Sequence, residues 1–240
     1  MPRTLFISDL HLAAERPAAT AAFFGLLARE GAQAQAIYIL GDLFEYWIGD
    51  DDLGDPFNTS VAQALARTAA RGVKLFYMHG NRDFLIGRDF CRAARMTPLE
   101  DPHRIELQGR DAILMHGDTL CTDDHDYQSW RRTARSSEWQ RDFLAASISE
   151  RRERILALRE KSKEVIQAKP AEIMDVNDGA VRNAMRAHDV NLLIHGHTHR
   201  PAHHRLEVDG RACDRWVLPE WYGHGGYLVA DSTGLKLEFL

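Results

Sequence analysis

Apolar and polar positions along this chain follow two periods in turn. Short apolar runs that start at Leu5 and span Ala36–Leu40, Lys74–Met78, Asp111–Met115 and Asn191–Ile194 predict buried strands. Between them, apolar residues recur at helical spacing over Ala18–Glu30, Thr59–Arg71, Arg88–Arg95 and Val176–Ala187, with Gly31 and Gly72 as stops for the first two. His103–Leu107 and Asp111–Met115 read as strands joined around Gly109. After Ile194 the pattern is strand upon strand: His204–Val208, a turn at Asp209-Gly210, then Ala212–Leu218, Gly226–Ala230 and Leu235–Leu240. Strand–helix alternation followed by consecutive strands predicts an α/β protein with two packed sheets and helices outside them.

One block breaks the rhythm. From Asp123 to Lys169 glycine and proline are absent, arginine is frequent, and Trp130, Trp139, Phe143, Leu144, Ile148, Ile155, Leu156 and Leu158 recur at helical spacings. This predicts a helical insertion over 123–170 in a core made of 1–122 and 171–240. The block can be a structural subdomain with a solvated basic face or a functional cap, and the pattern leaves both open. Its arginines, Arg131, Arg132, Arg135, Arg141, Arg151, Arg152, Arg154 and Arg159, predict a basic outer surface able to meet an anionic membrane. The acidic run Asp50-Asp51-Asp52 reads as part of a solvated loop.

Composition narrows the classes. The 240 residues are 45% hydrophobic and 27% charged, as in ordinary globular proteins, and the net charge of −5 argues against a general nucleic-acid binder. Cys91, Cys121 and Cys213 form no Cys-x-x-Cys pair, which suits buried thiols in a reducing cytosol. The first apolar run has no basic leader, so no signal peptide is expected, and no apolar run nears the ~18–20 residues of a membrane span. Membrane contact is therefore expected to be peripheral, and no protein partner is evident.

The candidate chemistry sits where the predicted strands end. Asp9 and His11, Asp42, Asn81, His116, and His197 with His199 each follow an apolar run, often beside a glycine. Loops at strand ends are where a rigid sheet aims reactive side chains. Seven oxygen or nitrogen ligands are too many for one ion of modest coordination number. They suit two ions ~3.5–4 Å apart that share a carboxylate and clamp a phosphoryl group.

The order Asp9-x-His11, Gly41-Asp42, Gly80-Asn81-Arg82-Asp83, His116-Gly117 and Gly196-His197-x-His199 resembles the calcineurin-like metallophosphoesterase superfamily. Three longer runs, Gly41–Asp51, His116–Asp124 and Ile173–Asn177, are similar to one of its families, the UDP-2,3-diacylglucosamine pyrophosphatases of lipid A biosynthesis. The resemblance implies a four-layer αββα sandwich with an inserted helical cap. It implies one ion on Asp9, His11, Asp42 and His199, and a second on Asp42, Asn81, His116 and His197, typically both Mn²⁺. Asn81, Arg82, His116 and His197 would be catalytic. Substrate contacts would map to Asn81, Arg82, Asp124, Ser162, Ile166, Lys169 and His197. At Ile166 the chain departs from the family, which commonly has Asn there; isoleucine cannot make that hydrogen bond. The implied reaction is metal-activated attack of water on the uridine-side phosphorus of UDP-2,3-diacylglucosamine, giving UMP and 2,3-diacylglucosamine 1-phosphate at the cytoplasmic face of the inner membrane. Another binuclear phosphodiesterase or phosphatase, or a scaffold that lost its activity, would share the fold.

Overall fold

The computed structural model describes residues 3–169, 171–223 and 225–240, leaving aside the side chains at 163, 164, 166–168, 171 and 172. Strands β1 (Thr4–Ile7), β2 (Ala36–Leu40) and β3 (Lys74–Met78) run parallel, because a helix returns the chain after each of the first two. Helices α1 (Pro17–Arg29) and α2 (Pro56–Ala69) make these returns, and α3 (Arg88–Ala94) leads to β4 (Met96–Leu99). Strands β10 (Gly226–Asp231) and β11 (Gly234–Phe239) complete this sheet in the order β11-β10-β1-β2-β3-β4. The second sheet has the order β5-β6-β7-β9-β8, from β5 (His103–Leu107), β6 (Arg110–Met115), β7 (Leu192–His195), β8 (Ala202–Val208) and β9 (Arg211–Val217).

Alternating side chains sort the apolar residues into three layers. Phe6, Leu40 and Met78 of the first sheet meet Leu114, Ile194 and Leu218 between the sheets. Leu5, Ile7, Ile37 and Ile39 face α1–α3 through Phe23, Leu26, Leu65 and Phe90. Ile113 and Leu193 face α7 (Asp178–Ala187) through Val181 and Met185. The result is the expected αββα sandwich.

Three elements differ from the expectation. Helix α2 starts at Pro56 rather than Thr59, because the Asp55 carboxylate accepts from Phe57 N–H at 2.9 Å and Pro56 suits the first turn. The edge strand β4 has too short and irregular an apolar pattern to be seen in sequence. The Asp50–Asp52 run is a 3₁₀ turn whose carboxylates are engaged: Asp50 accepts from the N–H groups of Gly87, Asp89 and Phe90 at the start of α3.

Between β6 and α7 the chain forms α4 (His125–Ala134), α5 (Ser137–Leu144) and α6 (Ile148–Ala168). Here the basic-face expectation is corrected. Arg151 is 1% exposed, donates to Ile48 O and forms an ion pair with Asp51; Arg152 meets Asp52. Arg131 binds Asp118, Arg135 donates to Gly80 O, and Arg159 pairs with Glu45. These guanidiniums fasten the helices to the core loops, leaving Arg132, Arg141 and Arg154 outward. Helical spacing alone could not show which side of each helix the core would occupy. No helix among the described residues is long and apolar enough to cross a membrane.

Candidate metal centre

The strand-end residues converge at one end of the two sheets. Asp9 and His11 follow β1, Asp42 follows β2, Asn81 follows β3, His116 follows β6, and His197 and His199 follow β7. Asp9, His11, Asp42, His197 and His199 all have positive φ, between 50° and 69°. A left-handed backbone is uncommon outside glycine and persists where surrounding contacts enforce it, often at functional sites. Asp83 supplies much of that enforcement. Its carboxylate is fully buried and accepts from the N–H groups of Gly80, Asp42, Leu43 and Phe44, tying the loop after β3 to the loop after β2. Glycines admit the carboxylates: a Cβ on Gly80 would lie 2.0 Å from Asp42 Oδ1, and one on Gly196 2.3 Å from Asp9 Oδ2.

Two groups of ligand atoms result. Asp9, His11 and His199 offer atoms within 4.8 Å of one another, with Nε2 of His11 and His199 3.3 Å apart. Asp9, Asp42 and His116 form the second such group. Asn81 Oδ1 lies 3.0 Å from both His116 Nε2 and His197 Nδ1. Asp42 stands between, with Oδ2 3.9 Å from His11 Nε2 and Oδ1 3.9 Å from His116 Nε2. All seven expected ligands are thus gathered, and Asp42 presents one oxygen to each side.

The donor set fits cations. Asp9 Oδ1 is buried without a hydrogen-bond partner among the described residues. Burial pushes the Asp42 carboxyl up to about 7, helped by Asp83 and Asp9. His116 is pushed up to about 9: burial opposes its charge, but Asp42, Asp118 and Asp9 outweigh that. Burial, and then His116, takes His197 down to about 4. A cluster that must hold protons to balance its own charges accepts divalent ions readily once those protons leave.

The expected substrate contacts are spread around this cluster. The Arg82 N–H donates to Asp42 Oδ1 at 2.8 Å, and its half-buried guanidinium has no partner among the described residues. Asp124 caps α4 and pairs with Lys169 at 2.5 Å. Ser162 is half-buried on α6, and the Ile166 side chain lies outside the described residues. Pattern reading missed the roles of Asp83 and Asp118, although both stand within the Asn-Arg-Asp and His-Gly-Asp runs. It also missed Glu45 and Tyr222. Tyr222 stacks on His11 at 4.8 Å and donates to Glu45 at 2.9 Å.

The calcineurin-like phosphoesterase family matches residues 2–201. UDP-2,3-diacylglucosamine hydrolase of Aromatoleum aromaticum is 50% identical over 96% of this chain and 94% of its own length. The proteins of that name from Cellvibrio japonicus and Escherichia coli O7:K1 are each 47% identical over 98% of this chain, and over 98% and 97% of their own lengths.

Proposed function

The chain belongs to the calcineurin-like phosphoesterase family and, within it, to the UDP-2,3-diacylglucosamine hydrolases; on that premise we propose that it hydrolyses UDP-2,3-diacylglucosamine. Water attacks the uridine-side phosphorus, the pyrophosphate bond breaks, and UMP and 2,3-diacylglucosamine 1-phosphate leave. The step belongs to lipid A biosynthesis.

The observation that carries this reading is an apolar strip that starts beside the ligands. Phe84 follows Arg82 and Asp83, and its ring lies 6.0 Å from Trp139, which in turn contacts Phe143 at 4.9 Å and Trp130 at 5.7 Å. The strip ends in exposed Trp130, and Leu144 and Ile148 of the same insertion are also exposed. A small polar ester would gain nothing from it. Each acyl CH₂ buried there contributes ~0.8 kcal/mol.

Asp9, His11, Asp42 and His199 would hold one ion and Asp42, Asn81, His116 and His197 the other. Hard oxygens with imidazoles and no thiolate suit Mn²⁺. When bound, the pair lowers the pKa of water and neutralises phosphoryl charge. The chain's own residues do the rest. Arg82, with no carboxylate paired to it among the described residues, directs its planar fork to the phosphate. Lys169, oriented by Asp124, and Ser162 reach the glucosamine 1-phosphate half from helices 123–170, which act as the cap. The apolar rim of that cap, rather than its arginines, rests on the cytoplasmic face of the inner membrane, where the diacylated substrate resides.

Product analysis tests this directly. UMP should be released from diacylated UDP-glucosamine far faster than nitrophenyl phosphate esters or DNA are cleaved. Equal rates on a nitrophenyl diester would instead assign another binuclear phosphodiesterase.

A further inference from the structure

Behind the ligand loop, on the α7 side of the second sheet, lies a cavity of about 260 Å³ bounded by Thr198, Arg200, His204, Arg215, Val217 and Asp175. We infer that this cavity binds a phosphate-type oxyanion, gripped by Arg215 with Thr198 and His204. It goes beyond the proposed reaction and does not depend on which substrate the metal centre takes.

The argument starts from charge. Among the described residues two arginines are buried as whole residues, Arg151 and Arg215. Arg151 has Asp51 and the Ile48 carbonyl. Arg215 is 9% exposed, and its one hydrogen bond among the described residues runs from Nη1 to the Nε2 of His195 at 3.3 Å. His195 donates from Nδ1 to Gly196 O at 2.8 Å, so its Nε2 is the acceptor for Arg215 and the ring carries no charge. Among the described residues Arg215 therefore hydrogen-bonds a neutral ring and pairs with no carboxylate at contact distance; Asp175 and Asp178 favour its charge only through space. A buried cation with no carboxylate in contact is costly, and an anion in the adjoining cavity offsets that cost.

The remaining wall fits the same ligand. The Thr198 hydroxyl is buried and has no hydrogen-bond partner among the described residues. His204 adds an imidazole at the mouth. The wall's carboxylate, Asp175, is already paired with Arg200, so its charge is met within the wall. A planar fork, a hydroxyl and an imidazole around one space match a tetrahedral oxyanion with several acceptors better than a halide. The pocket also reaches the metal loop. Thr198 sits between His197 and His199, and Arg215 touches His195, so an occupant is felt where both histidines are held.

Two sources share this chemistry: free inorganic phosphate and the phosphate of a nucleoside monophosphate. Titration calorimetry of the metal-loaded protein with inorganic phosphate should show one equivalent at the metal centre and a second in this cavity. Arg215→Gln should weaken the second at least tenfold and leave the first in place. Crystals soaked in tungstate should show anomalous density beside the Arg215 guanidinium as well as at the metals. Tighter binding of UMP than of phosphate at the second site assigns it to the nucleotide; equal binding assigns it to free phosphate. Thr198→Val with His204→Ala gives the same readout if Arg215→Gln fails to fold. The inference is overturned if tungstate and phosphate occupy the metal centre alone and the substitutions leave the stoichiometry unchanged.

Discussion

Oε2 of Glu45 lies 3.3 Å from Nδ1 of His11, and the other oxygen of the same carboxylate pairs with Arg159 of α6. A ligand histidine whose free nitrogen faces a carboxylate is held in one orientation and made more basic. Glu45 thus connects a metal ligand to the inserted helices. Glu45→Ala should lower affinity for the ion on His11 by ~10–100-fold. Calorimetry with Mn²⁺ would read that loss, and hydrogen exchange should rise in α6 of the same variant. Unchanged metal affinity would reduce Glu45 to a helix anchor.

Arg151 and Arg154 separate the two uses of arginine in the insertion. Arg151 is buried against Asp51 and Ile48 O, whereas Arg154 is exposed. A carboxylate placed in the buried Arg151 site would face Ile48 O and the Asp51 carboxylate, at a cost of several kcal/mol, whereas reversing an exposed charge costs little. Arg151→Glu should therefore lower the melting temperature sharply, and Arg154→Glu should leave it within a degree or so by calorimetric scan.

Much of this was legible beforehand because strand periodicity and ligand spacing are local. Each ligand sits just beyond an apolar run, so the order of runs and ligands places each at a strand end, where the two sheets bring them together. Asp83 and Glu45 act through contacts across different loops, and no local pattern reports the N–H groups that Asp83 gathers from two of them. The arginines misled for a similar reason: α6 is polar on most of its surface, and its inward side is set by acids near residue 50. Asp55-Pro56, by contrast, is a local start signal that pattern reading passed over.

His116 makes metal binding pH-dependent. Its Nδ1 faces Leu40 O at 2.8 Å and its Nε2 faces Asn81 Oδ1 at 3.0 Å; both oxygens accept, so both nitrogens donate. With its pKa pushed up to about 9, the ring is charged at pH 7 and must lose a proton to become a ligand. Asp42, pushed up to about 7, adds to the release. Affinity should rise as pH increases from 6 towards 9. Calorimetry at pH 7 in buffers of different ionisation enthalpy should show protons released on binding; an absence of release would contradict the charged state of His116.

Arg82 offers a guanidinium beside the ligands that has no partner among the described residues. One charge-assisted hydrogen bond contributes about 1.5–3 kcal/mol, roughly ten- to two-hundred-fold in rate. Arg82→Ala should lower kcat/KM by at least that order, with metal content and melting temperature unchanged. A fall in melting temperature alone would make Arg82 a structural residue.

Hydrolysis of UDP-2,3-diacylglucosamine in ¹⁸O-water, followed by mass spectrometry of both products, tests the central claim most directly. Attack on the uridine-side phosphorus places the label in UMP and leaves 2,3-diacylglucosamine 1-phosphate unlabelled. Label in the sugar phosphate, or no UMP formed by the Mn²⁺-loaded protein, would contradict the account.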